Sequence, residues 1–157
     1  SMCHETLRSR CAQLVCALAM ALVAVNAHAL FIVNQPWVTP VARGGSSEAY
    51  MDLTSTEGAM LVAVASDAAA VVAIVGQGKA QKEASVVALP PGTLVALRPG
   101  DYRIALRRVA RALNPGDRVM LTLTIRASDG TELLIPVDAE VRRRSPIEDE
   151  RAHKHAH

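Results

Sequence analysis

The clearest candidate for chemistry in this sequence is a group of three histidines at its C-terminus. His153, His155 and His157 stand at alternate positions, with Lys154 between the first two. Alternate side chains share one face of an extended chain, whereas in a helix His153 and His157 would pair at i and i+4. Three imidazoles with the terminal carboxylate of His157 form a donor set for Cu(II), Zn(II) or Ni(II), and the Irving–Williams order favours Cu(II). The pattern predicts either a Cu(II) site or a solvated tail that binds metal only weakly.

The rest of the chain lacks the residue types on which most hydrolases depend. The cysteines and the remaining histidines all precede residue 30: Cys3, His4, Cys11, Cys16 and His28. Between Leu30 and Ala152 there is neither His nor Cys. A Ser-His-Asp triad, a Cys-His pair or a His-bound catalytic zinc therefore cannot be built there. No paired-carboxylate spacing stands out either, so we do not expect an enzyme.

The N-terminus has the three parts of a secretory signal peptide. Arg8 and Arg10 form a positive region, an apolar run covers residues 11–25, and Ala27-His28-Ala29 fits an A-x-A cleavage site. We therefore expect residues 1–29 to be removed, the mature protein to begin at Leu30, and the protein to be periplasmic. Its mature part then contains no thiol.

Two alternatives to a cleaved signal are less favoured. The apolar run of residues 11–25, at about 1.5 Å per residue, is too short for a hydrocarbon core of about 30 Å, so we expect no stable membrane insertion after cleavage. Cys16 raises the alternative of a lipoprotein. Val15 is bulkier than the small residue expected before a lipidated cysteine, so lipidation is not predicted.

Charge is nearly balanced along the chain. The formal net charge is +2, and loss of Arg8, Arg10 and Glu5 with the signal lowers it by one. A nucleic-acid-binding domain would be strongly basic, so no nucleic-acid partner is expected.

Short runs rich in Val, Ile and Leu alternate with turn residues through the mature chain. The candidate strands are residues 30–38, 48–53, 60–66, 71–75, 85–89, 93–97, 102–106, 118–126 and 131–141. Apolar and polar residues alternate along residues 119–126, and Asp129-Gly130 would join this strand to the next as a hairpin. Nine short strands predict an all-β sandwich or barrel. The domain is expected to span residues 30–141, and residues 142–157 to be a charged, disordered tail.

Residues 101–113 allow a second interpretation. Leu106, Val109 and Leu113 fall at helical spacing, which would make this segment a short basic amphipathic helix. The alternative is a strand through residue 106 followed by a turn, with the arginines exposed to solvent.

Five landmarks in order resemble the periplasmic copper chaperone family PCu(A)C. They are residues 33–38 with their Trp, 47–53 with their Tyr, 60–66, 89–102 with Pro-Pro-Gly and Pro-Gly-Asp, and 113–123 with Asn-Pro-Gly-Asp. The resemblance covers residues 30–141. It implies a cupredoxin-like Greek-key β-sandwich, a carrier role with a periplasmic acceptor protein as partner, and a strand at residues 102–106.

The ligands of that family have no counterparts here. Members hold Cu(I) with a His, a Met about ten residues on and a His-x-Met about twenty further, a soft donor set that suits Cu(I). The matching positions are Arg103-Ile104-Ala105, Gln81 and residues 70–74, none with a ligand. A fixed cation at Arg103 would repel copper, so the resemblance implies that the Cu(I) site is lost. Three methionines lie within predicted strands and are expected to be core residues: Met51, Met60 and Met120.

Two functions follow from these observations. The first is a divergent copper-chaperone-like carrier that delivers or buffers divalent ions through the three tail histidines. The second is a metal-free interaction module that binds an acidic partner or lipid head groups through an arginine cluster. That cluster comprises Arg103, Arg107, Arg108 and Arg111, with residues 142–144 nearby.

Overall fold

A computed structural model describes residues 30–77 and 86–148. Over these residues the chain is almost entirely β-structure, which confirms the predicted fold class. The strands are β1 (Phe31–Val38), β2 (Ser47–Ser55), β3 (Ala59–Ala65), β4 (Ala69–Val75), β5 (Val87–Leu89), β6 (Val95–Leu97), β7 (Arg103–Val109), β8 (Arg118–Ala127) and β9 (Glu132–Val141). Within the same ranges no helix has the length and apolar character needed to cross a membrane.

The strands form one curled sheet with the order β4-β7-β2-β1-β9-β8-β3-β5, and β6 pairs with β2. A short parallel contact between β1 and β9 joins two antiparallel halves, which we call the β2 half (β4-β7-β2-β1) and the β8 half (β9-β8-β3-β5). The inner faces of the two halves pack together and exclude water from a core of Val, Leu and Ile. Its largest members include Leu53, Leu61, Ile104, Leu106, Leu121 and Leu123.

Strand β8 has the burial pattern that its sequence predicts. Its apolar positions from Val119 to Ile125 are buried and the residues between them are more exposed, as a period of two requires on a half-buried sheet. Asp129 and Gly130 form the turn to β9, where the Thr131 N–H donates to Asp129 Oδ1 at 2.8 Å. That hydrogen bond lowers the pKa of the Asp129 carboxyl. The predicted hairpin is confirmed.

Residues 103–109 are a strand, and the helical alternative is wrong. Strand β7 pairs with β4 on one edge and with β2 on the other, so both edges of its backbone are hydrogen-bonded. Leu106 and Val109 lie three residues apart, which suggested a helix. They are both buried in a strand because Arg108 between them has a left-handed backbone, with a φ of 52°. This left-handed residue interrupts the alternation, so Arg108 is exposed while Leu106 and Val109 are both buried.

The chain beyond β9 folds back along β1. The Arg142 N–H donates to the Val38 carbonyl at 2.9 Å, and a short helical turn follows at residues 146–148. Ser145 and Glu148 form a capping box: Glu148 N–H donates to Ser145 Oγ at 3.2 Å, and Ser145 N–H to Glu148 Oε2 at 3.3 Å. The first seven residues of the segment predicted as a tail thus carry local structure.

Candidate functional site

Arg103 begins β7 and is 5% exposed. Its Nε donates to Glu48 Oε1 at 3.1 Å, and its Nη1 donates to the carbonyls of Asp101 at 3.1 Å and Gly76 at 3.3 Å. A buried guanidinium needs several acceptors because its hydration is lost, and these three groups supply them. Arg103 therefore does not present its charge to an outside partner, and the predicted arginine cluster must be corrected at this residue.

Tyr50 of β2 adds a hydrogen bond to Glu48, the partner of Arg103. Glu48 and Tyr50 lie two residues apart on one strand, so their side chains share a face, and the Tyr50 hydroxyl donates to Glu48 Oε2. Register pairs Tyr50 with Trp37 of β1, and the two rings lie 4.8 Å apart at an angle of 44°. Burial, with the neighbouring Glu48 carboxylate, raises the pKa of Tyr50 well above its ordinary value. Tyr50 is thus a neutral hydrogen-bond donor at any physiological pH.

Together these residues occupy the outer face of the β2 half at the position where the family resemblance places copper. The position of the His-x-Met motif is taken by Arg103 and Ala105 of β7, and Ala73 of β4 lies opposite Ala105 in the register. Gln81, at the middle methionine, lies outside the described residues. In the described ranges no group of three or more His, Cys, Asp or Glu side chains could hold a metal ion. The described part of this site offers a satisfied ion pair in place of soft ligands.

The methionines do not supply a substitute. Met51 is buried in the core, as predicted. Met60 and Met120 are exposed, so the expectation that they fill the core is wrong. Both belong to the outer face of the β8 half, where register places Met60 beside Arg126 and Met120 beside Asp138.

The other arginines of the predicted cluster lie toward the far end of β7. Arg107 is partly buried and borders a shallow depression with Glu48 and Tyr50. Arg108 is exposed, and Arg111 donates through Nη2 to the Arg118 carbonyl at 2.8 Å. The structure therefore separates the four arginines into one buried residue, Arg103, and three that are partly or fully exposed.

Residues 142–144 lie at the end of the fold where β8 begins and β9 ends. Glu140 lies 3.9 Å from Arg118 and 3.7 Å from Arg142, which links the start of β8 to the end of β9. Arg143 and Arg144 border a cavity with Pro115 and Gly116 at the same end of the fold. That residues 142–144 lie close to the arginine cluster of β7 stays a prediction.

A cavity of about 370 Å³ opens beside the Trp37–Tyr50 pair. Its walls are Gln35, Trp37, Tyr50, Met51, Asp52, Leu97, Arg98, Pro99, Ser145, Pro146, Ile147 and Glu148. Gln35 has a φ of 50° at a register shift in β1, a strained conformation for a residue with a side chain. Sequence reasoning missed this cavity. One feature of the sequence could have indicated structure here: Ser145 and Glu148 have capping-box spacing, although the composition of their segment predicts disorder.

The three histidines predicted to bind metal, His153, His155 and His157, lie outside the described residues.

Comparison with known proteins places the chain in a family. The LpqE-like family model, whose description is that of a lipoprotein, matches residues 32–137. No curated protein matches the sequence. The apo PCuAC domain from PmoF1 is 26% identical, with a TM-score of 0.62 over 74% of this chain and 100% of that domain.

Two solved structures with copper share the fold. The copper-bound PCuAC domain from PmoF2 is 20% identical, with a TM-score of 0.57 over 75% of this chain and 100% of that one. The Cu(I) form of DR1885 from Deinococcus radiodurans is 24% identical, with a TM-score of 0.56 over 75% of this chain and 83% of that one. These matches confirm the resemblance that the sequence landmarks predicted. The chain belongs to the LpqE-like family and has the fold of the PCuAC copper-chaperone domains.

Proposed function

We propose that this protein is a copper-chaperone-like carrier outside the cytoplasm whose β-domain does not hold Cu(I), and whose tail histidines bind Cu(II). Residues 1–29 act as the signal peptide, residues 30–141 form the carrier domain, and residues 142–157 form the tail. A periplasmic acceptor protein receives the ion. The protein carries its cargo without catalysing a reaction.

The buried ion pair of Arg103 and Glu48 carries this proposal. Its guanidinium stands where the resemblance places the His-x-Met ligands, and its donors are occupied by Glu48, Gly76 and Asp101. A metal ion entering here would meet a fixed positive charge in a region that water screens poorly. It would also have to replace hydrogen bonds that already satisfy the carboxylate, so this position disfavours copper on both counts.

The tail supplies the donor types that the β-domain lacks. His153, His155 and His157 are the only histidines after residue 29. Imidazole nitrogens suit Cu(II), which leads the Irving–Williams order. Because closing a chain segment round an ion costs conformational entropy, we expect a modest affinity. Such affinity suits a buffer or a donor that releases its ion.

A metal titration of the mature chain tests the proposal. We expect one equivalent of Cu(II) to bind the natural sequence and binding to be lost in a variant with His153→Ala, His155→Ala and His157→Ala. The matched control is Lys154→Ala, which changes the same segment but keeps the imidazoles and should bind at least as well. Stoichiometric Cu(I) binding by the triple variant would show that the β-domain itself holds copper, contrary to the proposal.

A second candidate function is supported by the surface arginines. Arg107, Arg108 and Arg111 follow one another along the far end of β7 and the loop after it, and Arg111 donates to the carbonyl of Arg118. A cluster of this kind attracts an acidic partner and speeds its association. Charge reversal of Arg107 and Arg108 together should then abolish partner recovery from a periplasmic extract. Reversal of Arg126, an exposed arginine on β8, is the matched control. Equal recovery with both variants would remove this candidate.

A further inference from the structure

Trp37 and Tyr50 are more deeply buried than their place on the sheet explains. The core-facing residues of β2 are Ala49, Met51 and Leu53, so Tyr50 and its partner Trp37 belong to the opposite face. Residues on an outer face normally meet water, yet Trp37 is 9% and Tyr50 4% exposed. Residues 98–99 and residues 145–148 line the same cavity as the two rings and so lie beside them on this face.

The turn at residues 145–148 is closed on itself. Ser145 and Glu148 satisfy each other's backbone N–H groups through the capping box. Pro146 and Ile147, between them, are both partly buried and line the cavity. Their apolar side chains thus form part of the groove wall, and burial of this kind can equally be supplied by another apolar segment.

The turn fills its groove incompletely. A space of about 370 Å³ remains between it and the strands, with Trp37 and Leu97 in the walls. At the rim, Arg98 is half exposed and lies 3.6 Å from Asp52. Aromatic-lined grooves recognise proline-containing segments, and an arginine at the rim suits a carboxylate that follows.

From this arrangement we propose that the groove is a docking site for a partner segment in which a proline and an apolar residue precede a carboxylate. The chain's own Ser145-Pro146-Ile147-Glu148 is the built-in competitor for that site: its Pro146 and Ile147 line the groove, while Glu148 accepts from its own Ser145 N–H and leaves Arg98 to Asp52. A partner segment with a larger apolar side chain fills the remaining space better and displaces the turn. This site is independent of metal binding by the tail.

The only tryptophan in the chain makes the test direct. Because Trp37 lines the groove, quenching of its fluorescence by acrylamide measures how well the groove is covered. In the full mature chain, Ile147→Asp should displace the turn and raise the quenching constant several-fold. The matched control is Leu134→Asp, which adds the same charge at a 71% exposed position of β9 and should leave quenching unchanged.

A peptide in trans then tests recognition. A peptide with the sequence of residues 143–150 should bind the Ile147→Asp variant and restore protection of Trp37, and a peptide with glycines at the Pro146 and Ile147 positions should not. The natural chain should bind the first peptide at least tenfold more weakly, because its own turn competes at an effective concentration of about 1 mM.

Three results would overturn the proposal. Unchanged quenching in the Ile147→Asp variant would mean that the turn does not cover Trp37. Failure of the peptide to restore protection would mean that the groove does not recognise this chemistry. A concentration-dependent dimer of the natural chain that Ile147→Asp abolishes would identify a second copy as the occupant. If Ile147→Asp alters the melting curve, Ile147→Ser, which removes the apolar contact without adding a charge, replaces it with the same expected results.

Discussion

Two ion pairs on opposite halves of this molecule have nearly the same nitrogen–oxygen distance and very different surroundings. Arg103 lies 3.1 Å from Glu48, with side chains 6% and 28% exposed. Arg118 lies 3.2 Å from Asp138, with side chains 57% and 51% exposed. Distance alone would rank them equally. Burial separates them, because water screens the second pair and has largely been removed from the first.

The comparison shows why burial makes the pairing of Arg103 with Glu48 necessary. A buried position must satisfy whatever charge it contains, and here the guanidinium and the carboxylate satisfy each other. The exposed pair on the β8 half lies under no such constraint, since water can hydrate either partner. We therefore expect the position of Arg103 to be one where a single substitution has a large effect, and that of Arg118 to be tolerant.

Removal of one buried partner should give the largest effect. Arg103→Ala leaves Glu48 without its cation in a partly dry position, and we expect a loss of about 3–5 kcal/mol in the free energy of unfolding. Urea denaturation of the mature chain measures it. Arg118→Ala is the matched control, with an expected loss below about 1 kcal/mol. Similar losses for the two variants would contradict the distinction drawn from burial.

Removal of both charges should cost less than removal of one. In a chain with Arg103→Met and Glu48→Gln, no unpaired charge remains, and the methionine still fills part of the volume that the arginine occupied. We expect this double variant to regain more than half of the stability that Arg103→Met alone loses. A double variant no more stable than that single variant would show that the hydrogen bonds to Gly76 and Asp101 matter more than the pairing with Glu48.

Tyr50→Phe should have an intermediate effect that depends on pH. At neutral pH it removes the hydrogen bond to Glu48, with an expected loss of about 1–2 kcal/mol. The pKa of Tyr50 is raised in the folded protein above its ordinary value of 10.0, so only the unfolded chain loses the phenolic proton just above that pH. The contribution of Tyr50 to stability is therefore complete below about pH 10 and falls as the pH rises further.

Denaturation of the natural and Tyr50→Phe chains at pH 8 and pH 11 checks this sign. The difference in stability between them should shrink at the higher pH. Tyr102→Phe serves as the control at the other tyrosine of the chain. A difference that stays constant or grows with pH would contradict the assigned protonation.

Local patterns predicted the strands well, because period-two alternation and turn residues act over a few neighbours. Burial of Val119 and Leu121, and the hairpin at Asp129, follow from such patterns. Arg103 could not be predicted in the same way. Its burial depends on Glu48, 55 residues away in sequence, and on a carbonyl in another loop. From composition alone, an arginine is expected at the surface.

Two other segments have conformations that the sequence pattern did not predict. Leu106 and Val109 are both buried because Arg108 between them has a left-handed backbone. From the sequence, this arrangement cannot be distinguished from the spacing of a helix. The turn at residues 145–148 lies in a charged segment whose composition suggests disorder. In the structure it forms part of the wall of the cavity beside Trp37. Neither periodicity nor composition distinguishes these two conformations from their alternatives.

The smallest expected effect is the coupling energy of the exposed pair Arg118–Asp138, and its dependence on salt concentration tests it. A double-mutant cycle with Arg118→Ala and Asp138→Asn should give a coupling energy below about 1 kcal/mol at low salt. Ions screen exposed charges within about 3 Å at 1 M salt, so this coupling should vanish in 1 M NaCl. The matching cycle at Arg103 and Glu48 should keep most of its coupling there, because salt ions have little access to a guanidinium that is 5% exposed. Equal loss of coupling in the two cycles would mean that water and ions reach both pairs, and burial would then no longer distinguish Arg103–Glu48 from Arg118–Asp138.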